Sequence, residues 1–292
     1  MSRALRSAVA RRLMQTLVIL SLFLILLIFL GLLIRAWPIL SQQSLGSLLG
    51  GQRWRPMQGK FGFAPFITGT LWVTVVSLLI AVPLCLLTAI YLSEYAHSRV
   101  REWLQPLIDI LAGIPSVVFG VFGLLVVVPF VRDTLAPRFG AFTTGYSVLT
   151  AAIVLAIMII PVIVHVALEV LRAVPFEMRD AALALGATRW QVTKKVVLRK
   201  AMPGILAAVV LGLSRAFGET MAVMMVAGNV PKSPHSLFDP AYPLPALIAN
   251  NYGEMMSIPL YDSALMLAAL ILLVIVIGFN ALSAVIQRRI TG

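Results

Sequence analysis

A chain of 292 residues that is 60% hydrophobic and only 12% charged, with a mean hydropathy of +0.99, is not a water-soluble domain; soluble domains carry about 25% charged residues. The net charge of +12 would suit a nucleic-acid binder, but where the charges fall explains much of it without one. The single cysteine, Cys85, lies in an apolar run, which excludes an intrachain disulfide and gives no hint of a metal cluster.

A bilayer core takes about 20 consecutive apolar residues as helix, because backbone groups cannot stay unpaired in lipid. Six runs meet that demand. In chain order they predict spans at about Leu13–Ile34, Ile67–Leu92, Leu107–Val131, Val148–Leu168, Pro203–Gly228 and Ala264–Ile286. The first follows a basic lead of Arg3, Arg6, Arg11 and Arg12, as a signal peptide would. Its apolar core is too long for that, and no small-x-small cleavage site follows, so it reads as a retained anchor. The third contains "AGIPSVVFGVFG", where Pro115 stands among Gly113, Gly120 and Gly123. Such residues serve close helix packing or a bend that lines a path.

Loop charge sets the direction. With the N-terminus inside, fifteen of the 23 lysines and arginines are cytoplasmic, seven are outside, and Arg215 lies within a span. Lys and Arg favour the cytoplasmic side, so both termini are expected there. Trp37, Tyr91, Tyr95, Trp103, Tyr146 and Tyr261 fall near span ends, where an aromatic belt belongs.

The most informative soluble piece follows the fourth span: "RAVPFEMRDAALALGATRWQVTKKVVLRKAMPG". Pro175 suits a helix start, Phe176 to Leu185 reads as a short helix rich in small residues, and Gly186 suits its stop. Thr188 to Gln191 is a T-x-x-Q capping box, which predicts a second, basic helix up to about Lys200. A small-residue helix of this kind can enter a groove on a partner, lie in the headgroup layer, or serve as an elbow between spans.

The fifth span holds the oddest feature. In "GLSRAFGETMAVMMVAG", Arg215 and Glu219 interrupt an apolar run, four residues apart and so expected on one helix face. A charge at the centre of a membrane helix costs about 2.5–3.5 kcal/mol on insertion scales. Mutual neutralisation would lower that cost but gives neither charge a use. An anion path would: the forked donors of Arg match phosphate-like oxygens, and Glu219 can orient Arg215 or compete with the passing anion. Asp109 and His165 are further polar membrane residues, with packing or a cavity as the plain reading; Met221, Met224 and Met225 read as packing. The loop Asn229–Pro259 is rich in proline and expected to be partly irregular. Gly59-Lys60 is no P-loop, since Trp54 and Phe61 stand where Gly and Ser/Thr are needed.

The loop "RDAALALGATRWQVTKKVVLRKAMPGI" resembles the EAA loop of ABC-importer permeases, in which E-A-A, three intervening residues, a glycine and nine more residues lead to I-x-L-P. Here Asp180, Ala181, Ala182 and Gly186 fill the first part and Val196-Val197-Leu198 the second. Asp180 replaces Glu, Val196 replaces Ile, and Arg199 stands where proline is usual. With "GIPSVVFG" and "SRAFGETMAVMMVAGN", the chain from about Phe66 onward is similar to the permeases of phosphate-specific ABC importers, nearer the PstC type than the PstA type. The resemblance implies an all-α, six-span type I permease with an N-terminal anchor and outer loop (1–66) and a core (67–287) carrying a coupling loop at about 172–202. It implies that Phe176–Gly186 docks on a separate ATPase, with Asp180, Ala181, Ala182 and Gly186 in the contact, and that Arg215 and Glu219 act in translocation.

The resemblance also implies partners: a PstA-like second permease, an ATPase dimer that binds the ATP and Mg, and a periplasmic phosphate-binding protein, all at a bacterial inner membrane. This chain itself would bind no cofactor and catalyse nothing. Other readings are the same machine for sulfate or molybdate, a secondary transporter or channel using Arg215 and Glu219 without an ATPase, and a scaffold. A coupled carrier would more often show inverted repeats and would not need the docking loop.

Overall fold

The computed structural model describes residues 3–254 and 257–291; Met255 and Met256 of the proline-rich loop, and the side chains of Arg3 and Arg6, fall outside the described residues. Six helices are long and apolar enough to cross a bilayer. They are α1 (Arg3–Gln42), α3 (Ala64–Tyr95), α5 (Ser116–Arg138), α6 (Val148–Arg172), α8 (Arg189–Gly218) and α11 (Tyr261–Thr291). Between them lie the shorter α2 (Leu45–Gly50), α4 (Ser98–Gly113), α7 (Phe176–Ala184), α9 (Met221–Val226) and α10 (Leu244–Asn251). A hairpin of β1 (Trp54–Arg55) and β2 (Lys60–Phe61) pairs Trp54 with Phe61. An even number of crossings brings the C-terminus back to the side of the N-terminus.

Two expected spans are framed differently. The run expected at Leu107–Val131 is split: α4 ends at Gly113, and the crossing helix starts at Ser116. Pro115 has no N–H to continue a helix and holds Ile114 in extended backbone (φ −69°, ψ 130°). The fifth crossing starts earlier than expected, at Arg189, and stops earlier, at Gly218. The basic helix foreseen as a separate piece is its first part. Arg199 has an N–H where the resembling loops have proline, so the helix runs on through it.

The core is built around α6. Two thirds of its most apolar stretch (67%) is buried, against none (0%) for α1. Small residues let the backbones close in: Ala81 and Ala89 of α3, Ala151 and Ala156 of α6, and Ala201 and Ala208 of α8 are all buried. A side chain at Gly212 would meet Ile163 of α6 at 2.5 Å. A second cluster lies on the side away from the termini. There Trp54 packs edge-on against Phe61, Phe63 and Phe66, with ring centroids 5.0–5.5 Å apart, and pins the hairpin between α1 and α11.

Candidate functional site

The loop between α6 and α8 folds as its sequence predicts. Thr188 Oγ1 accepts from the Gln191 N–H (3.3 Å), and Gln191 Oε1 accepts from the Thr188 N–H (2.9 Å), so both halves of the capping box form. Gly186 takes the left-handed backbone (φ +83°) that stops α7, with the Ala187 N–H reaching back to the Ala182 carbonyl at 3.2 Å. No residue of α7 is fully buried. Asp180, Ala181 and Gly186 are exposed, and Ala182 is half-buried against the core. Phe176 and Leu185, 73% and 89% exposed, stand at the two ends of the element and present a short exposed apolar surface.

That loop is fastened by residues the sequence reading passed over. The Arg179 guanidinium turns back beneath α6. Its Nη2 donates to Glu94 Oε1 (3.0 Å) and to the Leu171 carbonyl (2.9 Å), its Nε to Glu94 Oε2 (3.3 Å), and its Nη1 to the Val174 carbonyl. Arg101 of α4 donates to the carbonyls of Leu92 and Ser93, at 3.0 and 3.1 Å. Helix ends carry carbonyls with no partner inside the helix, and these two arginines satisfy those of α3 and α6. His165 joins α4 to α6, with Nδ1 3.4 Å from Asp109 and Nε2 3.4 Å from Glu169.

Arg215 and Glu219 do not share a helix face. The helix ends at Gly218, and Glu219 adopts extended backbone (φ −74°, ψ 124°). Its Oε1 accepts the Ala222 N–H at 3.2 Å, so the carboxylate caps α9. It faces inward, into a small crevice lined by Thr70 and Thr74 of α3. Arg215 is exposed, as are Ala207, Leu211 and Gly218 of α8, beside the buried stripe of Ala201, Ile205, Ala208, Gly212 and Ala216. Among the described residues no carboxylate lies within 4.0 Å of Arg215. Arg215 stands about 22 Å along the helix from Lys200, inside the thickness of a hydrocarbon core. Beside it, Ser214 Oγ donates to Asn280 Oδ1 of α11 at 3.0 Å. Asn280 was missed in the sequence; an amide in an otherwise apolar run was the sign available.

A larger cleft, of about 710 Å³, opens on the far side. Thr143, Tyr146, Met224, Met225, Asn229 and Asp239 line it, and neither Arg215 nor Glu219 does. No basic group lines it. Asn229 (φ 52°) after Gly228 (φ 92°) stops α9, and its Nδ2 donates to the Met224 carbonyl at 2.8 Å.

Residues 81–292 match the family described as binding-protein-dependent transport system inner membrane components. A probable ABC transporter permease of Bacillus subtilis (strain 168), YqgH, is 41% identical over 238 residues, covering 81% of this chain and 75% of that one. The phosphate transport system permease PstC of Mesorhizobium japonicum is 37% identical over 269 residues, covering 87% and 82%. Among solved structures, a chain of a bacterial alginate ABC transporter, in complex with an alginate pentasaccharide-bound periplasmic protein, superposes with a TM-score of 0.66 at 18% identity over 99% of both chains. A chain of the MetNI methionine ABC transporter superposes with a TM-score of 0.63 at 20% identity, covering 82% of this chain and 100% of that one. These two likenesses establish the shared fold.

Proposed function

Because this chain belongs to the family of binding-protein-dependent transport system inner membrane components, we propose that it is the permease subunit of an ATP-driven importer of inorganic phosphate. It is a multi-pass inner-membrane protein and not itself an enzyme. The observation that carries the transport role is Arg215: an exposed guanidinium at bilayer depth, with no carboxylate within 4.0 Å among the described residues. Facing lipid there would cost several kcal/mol, so the side chain turns to a polar path, closed on its other side by a second permease subunit. In that path Arg215 offers forked donors to phosphate oxygens. Glu219 holds the break between α8 and α9 and keeps a negative charge near, but not on, the arginine, which limits how long an anion stays.

In this reading the α7 loop, with Asp180, Ala181, Ala182 and Gly186, docks on a cytoplasmic ATPase dimer that carries the ATP and Mg. A PstA-like chain is the second permease, and a periplasmic phosphate-binding protein delivers the anion. Both termini are cytoplasmic. Residues 1–66 serve as an anchor and outer loop appended to a 67–287 core. The assembled importer, reconstituted in vesicles, tests the path. Arg215→Gln should cut phosphate uptake about 10- to 100-fold, the worth of a charge-assisted hydrogen bond. Unchanged phosphate uptake removes Arg215 from the path, and faster sulfate than phosphate uptake by the unaltered importer would make the passenger another oxyanion.

A further inference from the structure

The geometry points to Glu94 and Arg179 as a positioning pair that ties the docking helix α7 to the end of α3, so that movement of one is felt by the other; this rests on the reading of α7 as the ATPase-docking element. Both side chains are only 11% exposed. The contact is forked, Nε to Oε2 and Nη2 to Oε1, a geometry that fixes orientation as well as distance. Each partner is itself held. Ser93 Oγ donates to Glu94 Oε1 at 2.8 Å, and the Ala96 N–H closes the last turn of α3 onto the Tyr91 carbonyl at 2.8 Å. Arg179 binds the carbonyls of Leu171 and Val174, and its guanidinium lies 5.1 Å from the Phe176 ring.

One side chain thus joins the end of the second crossing, the end of the fourth, and the first turn of the docking helix. Elsewhere α7 meets chiefly the first turns of α8. It has no fully buried residue, and Ala182 is its one side chain packed against the core among those described. A pull on α7 that leaves its own fold intact therefore reaches α3 through Glu94.

The alternative is that Arg179 merely caps α6 through the Leu171 and Val174 carbonyls. Glu94→Gln separates the two, because it spares those bonds and removes only the charged link to α3. The experiment uses the whole importer in vesicles with ATP inside, radiolabelled inorganic phosphate and the binding protein, and reads phosphate moved per ATP hydrolysed. Glu94→Gln should assemble with the ATPase chains at ordinary yield and lower that ratio about 2- to 30-fold, the span of such coupling effects. An unchanged ratio, or uptake and hydrolysis falling together in proportion to assembled complex, overturns the pair. Should Glu94→Gln not assemble, Arg179→Lys keeps the charge and loses the fork. A lowered ratio then supports the inference and an unchanged one overturns it. If the unaltered chain co-purifies with no ATPase, the docking reading fails first and this inference with it; if it couples normally while both variants keep its ratio, only the inference fails.

Discussion

Two arginine–glutamate sets mark two depths of this molecule. At the end that carries the termini, Arg179 and Glu94 stand 85 residues apart in the chain and meet in a forked, nearly buried contact. Within the membrane thickness, Arg215 and Glu219 stand four residues apart and do not pair, the one exposed and the other in a crevice and a helix cap. The first set is complete within the chain. The second has its arginine open toward whatever lies alongside. A nearly buried, forked pair with four hydrogen bonds orders structure, whereas a charge at bilayer depth needs polar surroundings.

Breaking the closed set should have the largest effect. Arg179→Met leaves Glu94 buried without its partner and should destabilise the fold by about 3–5 kcal/mol, seen as earlier thermal unfolding in detergent. A loss under about 1 kcal/mol would mean that water already screens the pair. The open set should respond in transport rather than in stability. Arg215→Lys keeps the charge but loses the fork, so it should recover only part of the 10- to 100-fold uptake lost in Arg215→Gln, with unfolding unchanged in both. Full recovery by lysine would show that charge alone suffices. Glu219 divides the two roles. Glu219→Leu should cost about 1 kcal/mol through the lost cap, while Glu219→Gln, whose amide oxygen still accepts the Ala222 N–H, should keep stability and alter only uptake. The smallest effect belongs to Asn280→Leu, about 0.6 kcal/mol for one interhelical hydrogen bond in a membrane. A double-mutant cycle on each set sharpens the contrast: strong coupling for Glu94 with Arg179, and near zero for Arg215 with Glu219.

The sequence carried what is local. Apolar length marked all six crossings, and Gly186, Thr188 and Gln191 announced the end of α7 and the start of α8, because each acts on neighbours within a few residues. Breaks were harder. Pro115 suggested close packing or a bend within one crossing, but the same ring that permits a kink ends α4 and starts the crossing helix nine residues later than expected, at Ser116. The stop at Gly218 has no proline to announce it, and a hydropathy window averages across the gap between α8 and α9. Helical spacing therefore put Arg215 and Glu219 on one face that the backbone does not form. Glu94 and Arg179 were beyond reach for another reason. Nothing in either neighbourhood records the other, and only the packing of α3 on α6 brings them together.

The uninterrupted course of α8 has a mechanical meaning. Arg189, beside the α7 loop, and Arg215 belong to one continuous helix, which carries on through a π-helical stretch at Thr193–Val197, position 199 and Pro203. The two ends are about 39 Å apart, so a tilt of about 5° at the base would carry the guanidinium sideways by about 3 Å, a hydrogen-bond length. The helix is a lever arm that turns a small rotation near Arg189 into a larger movement at Arg215.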